Sequence, residues 1–539
     1  MSEPKIIRFK DMARAGDEPL VTLQRDDLMA LPAPTDEPSL ESPKARWREA
    51  YDFSLDGYSD FDIPKPKTRE EEERLVRSFL SGLEKLFDPQ SNWPFVKILK
   101  LSMDYCVRCQ TCSEECHVYL GSGRQEIYRP TYRSEILRRI YQRYFTPSGK
   151  LLRSFVGADI ELNYKTVWRL LELSYRCNIC RRCAQVCPVG VDNALIAREI
   201  RKLFSQEMGI AAKELLKKGT RQQLQVGSST GMNPAGLKDI VEIEEDLIYE
   251  KTGKKIKIPV DQKGADILLI HNAGEFMSWP ENPAAFAILF DAAGISWTLS
   301  SDLVGYDAVN YGVWFDDVEL ARIALRHVTI AKELGVKKIV VGECGHAHKA
   351  ICVVADRVLP SDLSLSEVPR ESCLPLLWEI AKSGVVQFDP ARNDFPVTLH
   401  DPCNIVRLMG IVQPQREIVK RVCQQPLREL SPNGVRNYCC GGGSGFAIMD
   451  TLNFAQWRKA VSNRTKVKQI LDVFQDVLEP GINKYVTAPC SNCKGALRDA
   501  IDYYGLWDKY HIAYGGLVDL MVNAMADLPQ PYIDFKEET

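Results

Sequence analysis

Apolar positions follow no regular period along the first 67 residues, which are rich in Pro, Asp, Glu and Arg. That pattern predicts an extended arm, 1–67, able to fold only against another surface. At Thr68 the pattern changes. Thr68-Arg69-Glu70-Glu71 reads as a capping box, and Leu75, Val76, Phe79, Leu80 and Leu83 recur at helical spacing. A docking helix to about Phe87 and a linker to residue 95 are therefore predicted. Residues 96–225 hold helical patterns such as Ile136, Leu137, Ile140, Tyr141 and Tyr144, so a small helical domain is expected there, followed by a linker at 226–262.

Beyond the linker, short apolar strands alternate with helical stretches in a weak internal repeat. The stretch 265–274 reads as a strand ending in His271 and a turn, and 396–403 as a strand ending in His400 and a turn. Later in each half, Lys338-Ile339-Val340-Val341-Gly342-Glu343-Cys344 aligns with Lys484-Tyr485-Val486-Thr487-Ala488-Pro489-Cys490. On this alignment Ala347 stands where the second half has Cys493. The expected fold is mixed α and α/β: a helical domain plus two related α/β units, 263–389 and 390–539, the first degenerate in its thiols.

Composition narrows the function classes. With 45% hydrophobic and 26% charged residues the chain excludes collagen-like, coiled-coil and globally disordered readings. Lys+Arg 69 against Asp+Glu 72 gives net charge -3, too balanced for nucleic-acid binding through bulk charge. No apolar run approaches the ~20 residues that cross a bilayer, so the expectation is a cytoplasmic protein without its own membrane segment. Charge is uneven: 96–225 carries 23 Lys/Arg and 12 Asp/Glu. That excess would compensate anionic metal–thiolate clusters or face an electronegative partner.

The 17 cysteines point to metal or redox chemistry. Cys106-x2-Cys109-x2-Cys112-x3-Cys116 is repeated as Cys177-x2-Cys180-x2-Cys183-x3-Cys187-Pro188. Three closely spaced thiolates wrap one cubane while the fourth reaches its neighbour. By that rule Cys106, Cys109, Cys112 and Cys187 hold one 4Fe-4S cubane, and Cys177, Cys180, Cys183 and Cys116 hold another. Zinc, the competing metal, favours four ligands in pairs. His117 replaces the usual Pro after the first run, which should alter local rigidity or potential rather than binding. A second constellation is Cys403, then Cys439-Cys440-Gly441-Gly442-Gly443, then Cys490-x2-Cys493. Its glycines let the backbone approach a bulky inorganic group. A phosphate loop is the weaker alternative, because the P-loop Lys is missing.

The paired CxxCxxCxxxC runs, HDPCN, CCGGGSG and PCSNCK together resemble, over about 96–539, the iron–sulfur proteins related to the catalytic subunit of heterodisulfide reductase. Their cysteine-rich CCG domains bind noncubane 4Fe-4S clusters. The resemblance implies a dicluster ferredoxin-like helical domain, and one noncubane cluster on Cys403, Cys439, Cys440, Cys490 and Cys493. The 49 residues between Cys440 and Cys490 exceed the usual family spacing. The first unit keeps only Cys344, so a second noncubane cluster is not implied. Cys344 reads as a buried thiol, or alternatively a free one facing the pocket; Cys352, Cys373 and Cys423 read as core.

Within that family the degenerate first unit resembles the iron–sulfur subunit of membrane-bound Dsr complexes. This resemblance implies a membrane cytochrome b partner (DsrM-like), other subunits of a DsrMKJOP complex, and a DsrC-like small protein as disulfide or trisulfide substrate. It also implies peripheral attachment to the inner face of the membrane through those partners, with the arm 1–95 and the basic cluster domain as docking surfaces. Cleaving such a bond takes two electrons and protons while cubanes deliver electrons singly. A proton donor is therefore expected: His346 and His348 are the preferred acids, with His400 and Lys494 beside other cysteines. Two alternatives share the domain order: the iron–sulfur subunit of a glycolate, lactate or glycerol-3-phosphate dehydrogenase, and a non-catalytic electron-transfer adaptor.

Overall fold

The computed structural model describes residues 6–14, 16–33, 36–302, 307–359 and 367–535. The helix after the arm is Arg69–Phe87, and the Thr68 hydroxyl accepts from Glu71 N–H at 3.3 Å. Its apolar stripe, Phe79 and Leu83 above all, is fully buried. Phe79 meets Phe204 at 5.6 Å on the helix Asn193–Met208. Gly82 lets the two backbones close, because a Cβ there would lie 3.0–3.1 Å from Leu203 and Glu207. The helices Pro130–Phe145 and Tyr164–Ser174 complete the domain around the same stripe.

The arm finds its other surface within the same chain. Leu20, Val21, Leu55 and Phe61 are buried. Arg169 donates to the carbonyls of Gly16 and Glu18 at 3.0 and 2.9 Å, and Glu172 accepts from Leu55 N–H at 2.9 Å. Further along, Glu37 pairs with Arg464 of the last unit at 2.7 Å. The arm straps the helical domain to the second α/β unit, so much of it is not available to a partner. Residues 226–262 also differ from a linker. They contain the helix Pro234–Thr252, capped by the Asn233 side chain and ended by Gly253 at φ +68°. Leu237, Val241 and Ile248 form a helical stripe buried against the helix Glu281–Ala293.

Two parallel sheets follow. The first runs β2-β1-β3-β4, with β1 Ile267–Ile270, β2 Trp297–Thr298, β3 Lys338–Val341 and β4 Arg370–Ser372. The second runs β5-β6-β7, with β5 Val397–Leu399, β6 Lys484–Thr487 and β7 Ile512–Gly515. A parallel bridge from Thr398 to Arg428 extends it on the β5 side. β1 and β5 are almost wholly apolar and buried along their length, as strands covered on both faces must be. The repeated segments take matching places: β1 pairs with β3, and β5 with β6. Their carboxyl ends bring His271 beside Glu343-Cys344, and His400 beside Pro489-Cys490. The architecture is thus mixed helical and α/β, with strand ends facing the helical domain.

Candidate metal centres

The two cysteine runs adopt one backbone. Arg108 and Gln110 in the first run have φ of 56° and 65°, and their counterparts Ile179 and Arg181 have 51° and 60°. A β-branched residue at positive φ is strained, so a twice-repeated path through Ile179 marks a loop shaped by what it wraps. One helical turn follows each loop, Thr111–Glu114 and Arg182–Gln185. Backbone N–H groups point at sulfur: Ile179 N–H at Cys177 Sγ (3.4 Å) and Val191 N–H at Cys187 Sγ (3.2 Å). Such donors stabilise thiolates and tune cluster potentials.

Cys106, Cys109, Cys112 and Cys187 line one cavity. Cys116 lies instead within electrostatic reach of Cys180 and Cys177, and burial pushes its thiol up to about 12. Each run therefore sends its fourth cysteine to the other run's site. Six arginines of this basic domain are buried, and most pair with acids or carbonyls: Arg176 with Asp56 at 3.4 Å, Arg198 with Glu199 at 2.9 Å, Arg201 with the Cys177 carbonyl at 2.7 Å. Arg133 differs. Burial alone would lower its pKa, yet Cys177, Cys116, Cys183 and Cys112 raise it, so its charge faces both thiol sets. Cys109 is exposed, with Tyr105 and Val107 exposed around it. The first site reaches the surface and the second lies inside.

The third set closes over the end of the second sheet. Cys403 opens the turn Cys403–Val406 after β5, and Cys490 caps the helix Ser491–Tyr504 after β6. Cys439 and Cys440 enter on the glycine loop. Gly441, at φ +90°, could not carry a Cβ, which would fall 2.0 Å from Asn463 Oδ1. All five cysteines are buried and free. They pack in one buried cluster, with the sulfurs of Cys440 and Cys493 within 4.8 Å of each other. Gly345 N–H donates to Cys490 Sγ at 3.2 Å. Buried Lys466, held by Asn437 and Gln469 at 2.7 and 2.5 Å, sits against the set. Burial pushes its pKa down to about 7 against the pull of Cys440, Asp401 and Cys439. Five crowded soft donors beside a buried lysine fit an iron–sulfur group and do not fit an apolar core.

This third set adjoins the second. Cys180 packs against the buried cluster that contains Cys439, and the two thiols interact. Asn178 locks the joint, donating to the Gly441 carbonyl at 2.7 Å while its Oδ1 meets His117 Nε2 at 2.8 Å and Ser462 Oγ at 2.9 Å. Arg407 reaches from beside Cys403 to the Cys180 carbonyl at 2.8 Å. Sequence reasoning missed Arg133, Asn178, Arg407 and Lys466, since no spacing marks a residue that acts across domains. For His117 it did leave a signal, the missing Pro.

The preferred acids are not at the thiols. His348 spends both ring nitrogens, on the Cys344 carbonyl (2.7 Å) and Ser372 Oγ (2.8 Å). His346 Nε2 meets the Asn310 carbonyl at 2.9 Å, with the ring packed between Tyr311 and Trp314. Burial pushes both pKa values down to about 4, so both are neutral near pH 7. They fill the interior behind Cys344. Lys494 is spent as well: its Nζ pairs with Glu275 at 3.0 Å in a fully buried network with Glu343, Asp519 and Asn282. Cys344 is buried beside Cys490 and Ser491, and burial raises its thiol pKa. Cys373 and Cys423 are core, and Cys352 is half-buried.

Fold and thiol sets define a class: a helical dicluster module joined to a cysteine-rich α/β module, in an iron–sulfur redox protein. Residues 102–191 match the 4Fe-4S dicluster domain family and 397–498 the cysteine-rich domain family, CCG. The chain is 27% identical over 463 residues to the Hdr-like menaquinol oxidoreductase iron-sulfur subunit 2 of Archaeoglobus fulgidus, covering 79% of this chain and 80% of that one. It is 26% identical to the Hdr-like menaquinol oxidoreductase iron-sulfur subunit of Archaeoglobus profundus, covering 80% of each. It is 25% identical over 418 residues to HdrD, a component of the dihydromethanophenazine:CoB–CoM heterodisulfide reductase of Methanosarcina acetivorans, covering 75% and 90%. The chain is thus similar, over most of its length, to Hdr-like iron–sulfur proteins and to HdrD.

Proposed function

We propose that this chain is the catalytic iron–sulfur subunit of a membrane-associated, DsrK-type complex of dissimilatory sulfur metabolism. It reduces, or reversibly forms, a disulfide or trisulfide on a DsrC-like small protein. The observation that carries the reading is the packing of Cys180 against the cysteine-rich set, which joins the paired cysteine runs to it. When bound, two cubanes on the runs and a noncubane cluster on Cys403, Cys439, Cys440, Cys490 and Cys493 would supply one-electron redox steps. The residues around them do the rest. Exposed Cys109, with Tyr105 and Val107, is the side at which a partner exchanges electrons. Arg133 and Lys466 offset the charge of the thiolates, and Asn178 keeps the two modules in register.

A cavity of about 450 Å³ between the α/β units holds Ser491 and Asn492, the residues between Cys490 and Cys493, in its wall with Trp279, Gly495 and Arg498. An extended polypeptide segment carrying the sulfur bond would approach through it, past a wall in which Lys218 and Arg498 are matched by Asp450 and Asp499. No described helix is long and apolar enough to cross a membrane, so a membrane cytochrome b would be a separate, DsrM-like protein. The chain would dock to it at the cytoplasmic face. Anaerobic iron and acid-labile sulfide analysis with low-temperature EPR tests the reading. About twelve irons per chain, and a new signal with the thiol-oxidised or trisulfide substrate, are expected. About eight irons and no such signal would leave an electron-transfer adaptor.

A further inference from the structure

We propose that His400 is a sixth protein ligand of the cysteine-rich site, its imidazole bound to an iron that Cys440 and Cys493 also hold. The proposal rests on the reading of the five cysteines as a cluster site. His400 directly follows β5, and its backbone N–H donates to the Thr487 carbonyl at 2.9 Å, so the strand pairing that builds the second sheet also places the residue. A ligating nitrogen of His400 and the sulfurs of Cys440 and Cys493 all lie within 4.8 Å of one another. That spacing suits three donors around one metal ion.

The ring is otherwise stranded. It is fully buried, neither nitrogen meets an oxygen or nitrogen partner, and the ring faces the Cys440 thiol. Among the described residues every other buried histidine meets a hydrogen-bonding or carboxylate partner: His117 meets Asn178, His271 Glu275, His327 the Asp307 carbonyl, His346 the Asn310 carbonyl and His348 two partners. A thiol is a weak hydrogen-bond partner, so a buried imidazole with no better one is unfavourable. An iron held by the same thiolates would satisfy it. Imidazole is an established iron donor alongside cysteine, where it raises the potential relative to an all-thiolate site.

Its counterpart in the degenerate unit supports the contrast. His271 occupies the matching strand end, faces no thiol set, and lies 3.6 Å from Glu275. Where the thiols are lost, the histidine has a carboxylate partner; where they are kept, it faces Cys440 and Cys493.

The test uses the anaerobically purified full-length holoprotein labelled with ¹⁵N-histidine. Pulsed EPR is recorded on the third cluster in whichever of its adjacent redox states is paramagnetic. A strongly coupled ¹⁵N is expected in the wild type. It should vanish in His400→Cys, which keeps a ligand and should keep wild-type iron, while His400→Phe should lose the third cluster and leave both cubane signals. A third-cluster signal with only weak nitrogen coupling would overturn the ligand assignment, as would coupling that persists in His400→Cys. If the wild type binds only enough iron for two cubanes and shows no third signal, the underlying cluster reading fails with it. The wild-type measurement decides even if a variant does not fold.

Discussion

The two α/β units share one strand framework and put it to opposite uses. At the ends of β5 and β6 the second unit places Cys403, Cys490 and Cys493, which close on Cys439 and Cys440. At the ends of β1 and β3 the first unit places Glu343 and Cys344, with Ala347 where the second unit has Cys493. Its Glu275 and Glu343 reach across the boundary instead. Glu275 pairs with Lys494, and Glu343 accepts from the N–H groups of Leu517 and Val518 at 2.9 and 3.1 Å, at the start of the helix Leu517–Asn523. The Glu343 carbonyl also accepts from Ser491 N–H at 2.7 Å. The unit that lost its thiols has become an electrostatic mould for the loop that kept them.

The comparison breaks most visibly at the thiols. Cys493→Ser should empty the cysteine-rich site, lowering iron by about four per chain and abolishing disulfide reduction. Cys344→Ser should leave iron content and cubane EPR unchanged. Equal losses from both variants would mean that the first unit also holds metal.

The mould itself is tested next. Lys494→Met leaves Glu275 buried without its cation and should cost about 3 kcal/mol of stability by denaturant unfolding of the holoprotein. Adding Glu275→Leu should recover part of that loss. If Lys494→Met is as stable as the wild type, the ion pair does not hold the units together.

A smaller effect is expected in the pH profile. Burial lifts the Glu343 pKa from 4.5 to about 8, so the folded chain keeps a proton there that the unfolded chain has released. Stability from this group is present below about 4.5 and is lost as pH rises through about 8. Glu343→Gln should therefore gain on the wild type across that window in parallel unfolding curves. A constant difference would remove Glu343 as the titrating group.

The smallest effect belongs to His348. His348→Gln should leave turnover unchanged and cost about 1 kcal/mol for each hydrogen bond lost. A large fall in kcat with intact iron would restore it as the acid.

Much of this organisation was legible in the chain. The helix Arg69–Phe87 was readable because a cap and a stripe are local signals, and the repeat because strands with matching ends recur. The cysteine spacings carried the metal chemistry, since a loop that wraps a cluster must space its thiols along the chain. The packing of the arm was not legible, because its partners lie far along the chain and its own composition is polar; the helix Pro234–Thr252 did carry a cap and a stripe, Asn233 with Leu237, Val241 and Ile248, which the reading of 226–262 as a linker passed over.

Sequence alone determined which side chains can bind iron and which strands are equivalent, because both follow from short-range order. Tertiary structure alone decided where charge and polarity go. His346 and His348 read as acids beside a lost cluster, whereas in the fold their nitrogens are spent on Asn310, Cys344 and Ser372. Arg133, Lys466 and Asn178 carry no mark in the sequence, and only folding buries them against thiols from other segments. Burial raises the energy of every unpaired polar group, and only the folded chain determines which groups are left to meet it.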